Sequence, residues 1–322
     1  MAALKHDINS VFMPRAMEHL ARLKQPGTAG FVHYTSAATM ISILRDRKIW
    51  MRNARCMNDV SEMQHGCDRL INALDSDRRR EKLIDAMNLC SPGAAEKAFA
   101  IFDQHRPNIL DRTFITCLSE HDQREDKLGR LSMWRAYGRD TVGVALVINK
   151  DVLFLEGNAL NAFSSPVAYL TDEELLQDID RIITNVGANE YWLKNVDPSQ
   201  LQQVLFATLL FGVTSLKHPG FWEEREWRVI HSPDIFPSSV LKPAIEIVGG
   251  VPQQIFKIPL EDFAVHRNVG FSPDKIISRL IIGPSNYPGQ VKEAMIDALS
   301  AAGVRNAADR VVMSDIPLRM HA

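Results

Sequence analysis

The chain has 322 residues, 46% of them hydrophobic, so it can bury a real core as one large domain or two modest ones. Its 37 basic and 39 acidic residues leave a net charge of −2. A chain this close to neutrality has no global positive field to steer it to nucleic acid or anionic lipid. This argues against a protein that binds nucleic acid mainly through the phosphate backbone.

The sequence carries no signal for secretion or for a membrane. Residues 1–7 lack the apolar core of a signal peptide, and the longest apolar run, 204–213, is too short to span a bilayer. The cysteines are scattered without CxxC spacing, at Cys56, Cys67, Cys90 and Cys117. Since no Cys/His pair has zinc-ligand spacing either, we expect free, buried thiols, no metal and a cytoplasmic location.

The first part of the chain predicts a helical lead-in and then a strand–helix–strand unit. Residues 1–29 favour helix. Residues 30–36 are rich in strand formers and predict a short, buried strand that contains His33. Ser36 can cap the helix that follows, and residues 48–51 predict a second strand.

Helices then dominate from about 62 to 108, which we interpret as an insertion in a single domain that spans 30–322. Strands resume at 113–118, and 142–148 is apolar on both faces, as expected of a central strand. The remaining predicted elements are a strand at 166–170, helices at 172–186 and 198–217, a strand ending at 230, strands at 244–248, 254–258 and 279–282, a helix at 288–301 and a strand at 310–313. This irregular interleaving predicts an α+β fold with a mixed or antiparallel sheet.

Three clusters place polar or aromatic residues where a structural role and a functional role compete. The first is His33-Tyr34-Thr35, and a histidine in a core strand is commonly structural. The second contains Trp134 and Tyr137, three apart on one helical face, which suits a core as well as a binding site. The third, 222–228, places Glu224, Glu226 and Arg228 on one face if the segment is extended. Its structural alternative is a solvent-facing strand with ion pairs.

Ordered motifs along the chain resemble a large bacterial family named domain of unknown function 2971. They are His33-Tyr34-Thr35-Ser36, Ile49-Trp50-Met51-Arg52-Asn53, Asn58-Asp59-Val60-Ser61-Glu62, 114–120, 133–137, 142–144, Lys217 with 222–228, and 280–283. The resemblance covers about residues 30–285 and implies no activity by itself.

The first motif also resembles the entry unit of ADP-ribosyltransferases, a strand bearing His-x-Thr, a short helix and a second strand. That resemblance implies a strongly bent, split mixed sheet of ADP-ribosyltransferase type and NAD as co-substrate. His33, with Tyr34 and Thr35 beside it, would hold the adenosine-side ribose, and Glu226 would bond the nicotinamide ribose. The superfamily's middle motif is not recognisable here, so Trp134 and Tyr137 are both candidates for the aromatic wall against nicotinamide.

The same resemblance assigns the remaining candidate residues. Glu224 with Glu226 resembles the Glu-x-Glu variant, and Arg52, Arg135 or Lys217 would meet the pyrophosphate. The chemistry is physically sensible, because a carboxylate on the ribose stabilises the oxocarbenium-like charge that develops when the nicotinamide bond breaks.

The sequence therefore predicts an enzyme that cleaves NAD and transfers ADP-ribose to a macromolecular acceptor, protein or nucleic acid, or that only hydrolyses NAD. Two alternatives stay open. One is a metal-dependent hydrolase or nuclease that uses Asp59, Glu62 and Glu226. The other is a non-catalytic nucleotide-binding sensor module.

Overall fold

The computed structural model describes residues 7–25, 30–57, 62–138, 141–151, 160–262 and 270–317. The chain divides into two compact units built from alternating segments. The helical unit consists of Met1–Pro26, Ala54–Thr113 and Ser165–Glu223. The sheet unit consists of Gly27–Asn53, Phe114–Ser164 and Glu224–Ala322.

The helical unit contains eight helices among the described residues, with labels that run in chain order through both units. They are α1 (Ile8–Phe12), α2 (Pro14–Leu23), α4 (Glu62–Asp75), α5 (Arg79–Asn88), α6 (Ala94–Asp111), α8 (Asp172–Ala188), α9 (Glu190–Leu193) and α10 (Pro198–Thr214). Two short parallel strands, β6 (Ala168–Tyr169) and β7 (Leu216–Lys217), complete it. α10 is apolar on most sides and packs on α4 and α6. Two glycines permit the approach of α4 and α10, since a Cβ at Gly66 would lie 2.6 Å from the carbonyl oxygen of Val213, and one at Gly212 would lie 2.9 Å from Leu70.

The sheet unit is a mixed, open sheet flanked by four helices among its described residues. The strands are β1 (Gly30–Ser36), β2 (Lys48–Asn53), β3 (Phe114–His121), β4 (Gly143–Ile148), β5 (Phe163–Pro166), β8 (Glu226–His231), β9 (Lys242–Val248), β10 (Val251–Pro259), β11 (Ile277–Ile282) and β12 (Val311–Met313). The helices are α3 (Ala37–Asp46), α7 (Leu131–Tyr137), α11 (Pro273–Ile276) and α12 (Pro288–Ala301). The strand order is β12-β11-β4-β1-β3-β2-β10-β9, and β8 pairs with β3 and β5. Only β11 and β12 pair in parallel among the registers of this sheet that the structure describes.

The sheet branches at β3. On one edge β3 pairs with β8 from Phe114 to Ser119. On its other edge it pairs first with β2, at Phe114 and Ile115, and then with β1, from Ser119 to His121. Residues 116–118 therefore lie in a gap between β2 and β1 on that edge.

Side chains bond the backbone carbonyls at this gap. The hydroxyl of Thr116 donates to the carbonyl of Trp50 at 2.7 Å. Nδ1 of His33 lies 2.8 Å from the carbonyl oxygen of Cys117, so that nitrogen carries the hydrogen. Because a buried carbonyl without a partner is costly, these two bonds account for polar side chains at the branch.

Trp134 is the centre of the core beside β1. Its side chain is 1% exposed, its indole N–H donates to the carbonyl of Leu128 at 2.7 Å, and its ring meets Tyr34 edge-on with centroids 5.1 Å apart. Glycines surround it. A Cβ would lie 2.3 Å from the indole at Gly129, 3.1 Å at Gly143 and 2.9 Å at Gly283, and at Gly138 it would lie 2.7 Å from the Trp134 carbonyl. Three of the motifs quoted above, 133–137, 142–144 and 280–283, thus meet at one indole ring.

Most predicted elements exist, and the differences have local causes. Ser36 caps α3, as the sequence predicts, and Thr171 caps α8. The helix predicted at 198–217 ends at Thr214, and the next residues form β7. The described helices of the predicted insertion, α4 to α6, join α1, α2 and α8 to α10 in one unit, a grouping that sequence periodicity does not show.

Two further expectations concern the thiols and the membrane. The four cysteines are free, as expected, although Cys56 is exposed and Cys117 half-buried rather than buried. Among the helices of the described residues, none is both long and apolar enough to cross a membrane.

We predict that Gly283→Ala destabilises the protein by about 1–3 kcal/mol, because the added methyl would overpack the Trp134 ring and the Gly143 carbonyl. Urea unfolding followed by tryptophan fluorescence measures the loss. Gly289→Ala is the matched control, since a Cβ there meets nothing within 4 Å and alanine favours the helix. Equal stability of the two variants would contradict the packing argument.

Candidate functional site

The most unusual feature of the sheet unit is a charge pair inside β8, where every residue is buried. Glu226 is 6% exposed and Arg228 is 2% exposed. Nε of Arg228 donates to Oε1 of Glu226 at 2.9 Å, and Nη2 donates to Oε2 at 3.1 Å. The pair is therefore bidentate and lies along one strand, two residues apart.

The burial of this ion pair is not explained by a gain in folding stability. Taking two charges out of water costs several kcal/mol per ion, and well-packed apolar residues in their place are often as stable or more so. Buried ionisable groups with a specific charged partner are often found at functional sites. The alternative of a solvent-facing, ion-paired strand is wrong, because neither side chain faces solvent.

Strand register shows what lies beside the pair. Directly opposite Glu226 on β3 is Ser119, and opposite Arg228 is Cys117. Arg52 of β2 stands opposite Ile115, two residues further along β3, so its side chain projects to the same face. This polar face, defined as Glu226, Arg228, Ser119, Cys117 and Arg52, combines one carboxylate, two guanidinium groups, a hydroxyl and a thiol. Nε of Arg52 also donates to Oε1 of Gln253 at 3.2 Å.

The same register places His33 on the other side of the sheet. Val32 stands opposite Ser119, which stands opposite Glu226, so these three side chains share one face. His33 and Thr35 alternate with Val32 and therefore project to the opposite face. Phe31 and Trp227 also lie on that opposite face, where their rings meet edge-on. The structure therefore does not bring His33 and Glu226 together.

His33 also has a local role, because its ring is bonded to the carbonyl of Cys117 at the gap. Burial lowers the pKa of this imidazole, against the opposing effect of the carbonyl bond. Thr35 is buried on the same side of the sheet.

The aromatic candidates lie in or near the core on the Glu226 side of the sheet. Tyr34 and Trp134 are buried there, and burial raises the pKa of Tyr34 to about 12. Trp134 presents no free ring face, so its assignment to a nicotinamide wall does not fit the structure. Tyr137, half-buried at the end of α7, packs against the same cluster, and Arg135 is exposed on that helix.

Glu224 lies outside the strand, contrary to the extended arrangement that the sequence suggests. It ends the 3-10 turn Pro219–Glu224, and the positive φ of 44° at Arg225 redirects the chain before β8 begins. Glu224 and Glu226 therefore do not share a strand face.

A buried arginine holds this turn. Its guanidinium donates to the carbonyls of Glu224 and Glu120 at 2.9 and 2.7 Å, and the residue, Arg130, bonds Tyr34 Oη through its backbone N–H. Glu125 bonds both Arg130 and Arg225. Burial alone would raise the pKa of Glu125, but the bond from Arg130 holds it below its ordinary value.

Lys217 belongs to the helical unit. There its Nζ lies 3.4 Å from Oε1 of Glu62 and 4.9 Å from the centroid of the Phe221 ring. Glu62 and Glu226 each have a basic partner, and Asp59 lies outside the described residues. In the described part of the chain, no group of three or more His, Cys, Asp or Glu side chains is arranged to hold a metal ion.

Sequence reasoning missed Ser119, Cys117 and Arg130 as members or supports of the site. The signal for the first two was available in the alternation of β3, which reads Ile115, Cys117, Ser119 on one face. Their position opposite Glu226 and Arg228 depends on a pairing of segments about 110 residues apart, which no local pattern encodes.

Comparison with known proteins gives one family. A family model for proteins of unknown function, DUF2971, matches residues 133–229, which include Trp134, Tyr137, Glu224 and Glu226 but not the His33 segment. No curated protein and no solved structure matches the chain.

We predict that Glu226→Gln lowers the free energy of unfolding by about 3–5 kcal/mol, because Arg228 would keep a buried charge without the carboxylate that it pairs with. Adding Arg228→Met should restore most of this loss, since the charge is removed as well. Chemical denaturation of both variants checks the expectation. A double variant no more stable than the single one would contradict it.

Glu246→Gln is the matched control for this experiment. Glu246 is also a strand glutamate paired with a basic side chain, Lys257, at 2.6 Å. It is 28% exposed and Lys257 keeps Asp46 as a second partner, so the loss should stay below about 1 kcal/mol.

A second prediction concerns pH. Because the folded pKa of His33 is depressed, its contribution to stability is present above the unfolded value of about 6.5 and is lost as pH falls towards the folded pKa. His33→Gln should therefore flatten the fall in stability between about pH 7 and pH 5, measured by urea unfolding. His231, whose pKa burial also lowers, should keep part of the slope. An unchanged slope in His33→Gln would contradict the assignment.

Proposed function

We propose that the chain is an ADP-ribosyltransferase-like enzyme that binds NAD on the polar face and cleaves it, transferring ADP-ribose to a macromolecular acceptor or to water. The observation that carries the proposal is the buried carboxylate of Glu226, held bidentately by Arg228 in a strand that is otherwise apolar apart from its last residue. The similarity to a family of unknown function is compatible with any chemistry, so the argument rests on the residues.

The proposed chemistry is cleavage of the bond between nicotinamide and ribose beside a carboxylate. The bond between nicotinamide and ribose breaks with its electron pair leaving on nicotinamide, which departs neutral. Positive charge then develops on the ribose, and a nearby carboxylate stabilises it. An acceptor nucleophile or water adds to the same carbon and loses its proton.

Glu226 keeps the capacity for this role while paired. A carboxylate offers about four lone-pair sites, of which the two bonds from Arg228 use two. In the proposed complex a ribose hydroxyl would donate to one of these carboxylate oxygens. Arg228 fixes the orientation of the carboxylate with two hydrogen bonds, which is the preorganisation that electrostatic catalysis requires.

Arg52 is our candidate for the pyrophosphate, because its planar guanidinium lies on the same face and suits bidentate contacts to phosphate oxygens. Tyr137 replaces Trp134 as the candidate aromatic wall, since only Tyr137 is partly exposed. His33 becomes a positioning residue for the branch of the sheet rather than a ligand of the ribose. The free cysteines are compatible with the cytoplasmic location included in this proposal.

A second candidate is a nucleotide-binding sensor module without turnover. It is favoured by the neutralisation of Glu226 by Arg228 and by the packing of Trp134 in the core. Binding of NAD without release of nicotinamide distinguishes it from the enzyme.

We predict that NAD raises the thermal midpoint of the full chain and that free nicotinamide accumulates, detected by mass spectrometry. The double variant Glu226→Gln, Arg228→Met should stay folded and release nicotinamide about 100- to 1000-fold more slowly, because it lacks the aimed negative charge. Arg52→Ala should raise KM, and Glu246→Gln should behave as the parent.

Three outcomes would contradict the proposal that the chain is an NAD-cleaving enzyme. Parent-like release by the folded double variant would exclude the role of Glu226. A rise in the thermal midpoint with NAD, but no release of nicotinamide, would favour the sensor module. A shift with manganese and none with millimolar NAD would favour the metal-dependent hydrolase.

A further inference from the structure

One end of the sheet finishes in an apolar strand edge. Among the described residues β9 pairs with β10 alone, and its Ile245 and Ile247 are each 69% exposed. Natural proteins protect such edges with charges, bulges or covering loops, because a bare edge is a template for another strand. Here the only edge-blocking residues are Lys242 and Pro243 at the start and Glu246 in the middle.

The hairpin identifies which backbone groups face outward. Gly249 and Gly250 have φ of 57° and 80°, as in the two-residue turns that close tight hairpins, and Val248 pairs with Val251 across them. Pro243 has no N–H, so its pairing with Phe256 is one of the positions without hydrogen bonds to β10. Because such positions alternate, the N–H and C=O of Ile245 and Ile247 and the C=O of Pro243 point away from β10.

The tip of this hairpin has support from one strand only. β2 pairs with β10 from Ile255 to Pro259, which leaves 251–254 paired with β9 and nothing else in the described registers. A two-stranded ribbon alone is marginally stable in water. A further strand on the outer edge of β9 would stabilise it.

We propose that this edge is a homodimer interface, in which β9 pairs antiparallel with β9 of a second copy about a twofold axis at Ile245. Ile245 is the middle of Lys242–Val248, so all seven residues overlap. The outward groups then match. Ile245 exchanges both bonds with the partner's Ile245, and the N–H of Ile247 donates to the carbonyl of the partner's Pro243, for about four bonds in total.

Side chains select this register over the neighbouring ones. An axis at Glu246 would set two carboxylates directly opposite each other, which is destabilising. With the axis at Ile245, Glu246 stands beside the partner's Ala244 and keeps its own bond to Lys257 at 2.6 Å. On the exposed face, Ile245 meets the partner's Ile245 and Ile247 meets the partner's Pro243, so apolar side chains cover one another. A strand from an unrelated protein has no reason to provide this match.

Sedimentation velocity over about a hundredfold range of concentration tests the interface, since a dimer joined by one strand edge should dissociate on dilution. The parent should shift from monomer to dimer as concentration rises. Ile245→Lys should remain monomeric throughout, while Tyr287→Lys, which removes another exposed apolar side chain of the sheet unit, should dimerise as the parent does. Circular dichroism confirms that each variant is folded.

A cysteine pair tests the register. In a Cys56→Ser background, Ile245→Cys should form a disulfide-linked dimer under mild oxidation, because paired Cα atoms lie about 5.5 Å apart, within disulfide reach. Ile247→Cys should not, since its twofold mate stands four residues away along the partner strand. Any of three results would overturn the proposal. The parent could be monomeric at every concentration, the dimer could survive Ile245→Lys, or Ile247→Cys could cross-link as well as Ile245→Cys. Capture of a foreign strand by a monomeric parent would overturn it as well.

Discussion

The buried pair of Glu226 and Arg228 is the constraint on which the sheet unit depends. Neither ion is tolerable there alone, so the two must be brought into bidentate geometry by the strand itself. Spacing of two along β8 achieves this, because alternate residues share a face. Two features hold the turn before β8: Arg130 donates to the carbonyl of Glu224, and the backbone of Arg225 is left-handed. Strain of that kind persists only where the surroundings over-determine it.

Branching at β3 explains why polar residues occur in apolar strands. Where β1 and β2 separate, the carbonyls of Cys117 and Trp50 accept side-chain bonds instead of ladder bonds, and His33 and Thr116 provide them. The polar residue types that make the first motif resemble a nucleotide site are therefore also the ones that a branched sheet requires. Residue identity alone does not separate the two explanations.

The sequence predicted elements better than it predicted their grouping. Local sequence patterns located β4, α8 and α12, because an apolar run or a helical periodicity needs no information from distant segments. The two units escaped prediction, since each is assembled from segments far apart in the chain. Trp134 was ambiguous for a related reason. An aromatic on a helical face gives no sign of whether three glycines outside its helix will enclose the ring.

The placement of the candidate site depends on parity along the strands. A shift of one residue moves a whole set of side chains to the other face, so the pairing of Val32 with Ser119 and of Ser119 with Glu226 decides which groups can meet one ligand. It groups Glu226 with Arg228 and Arg52 and separates all three from His33. This face presents one carboxylate and two guanidinium groups, a set suited to a molecule that carries both anionic groups and a centre where positive charge develops. A dinucleotide with a pyrophosphate and a cleavable glycosidic bond has both features, which is why we propose NAD as the ligand even without the histidine.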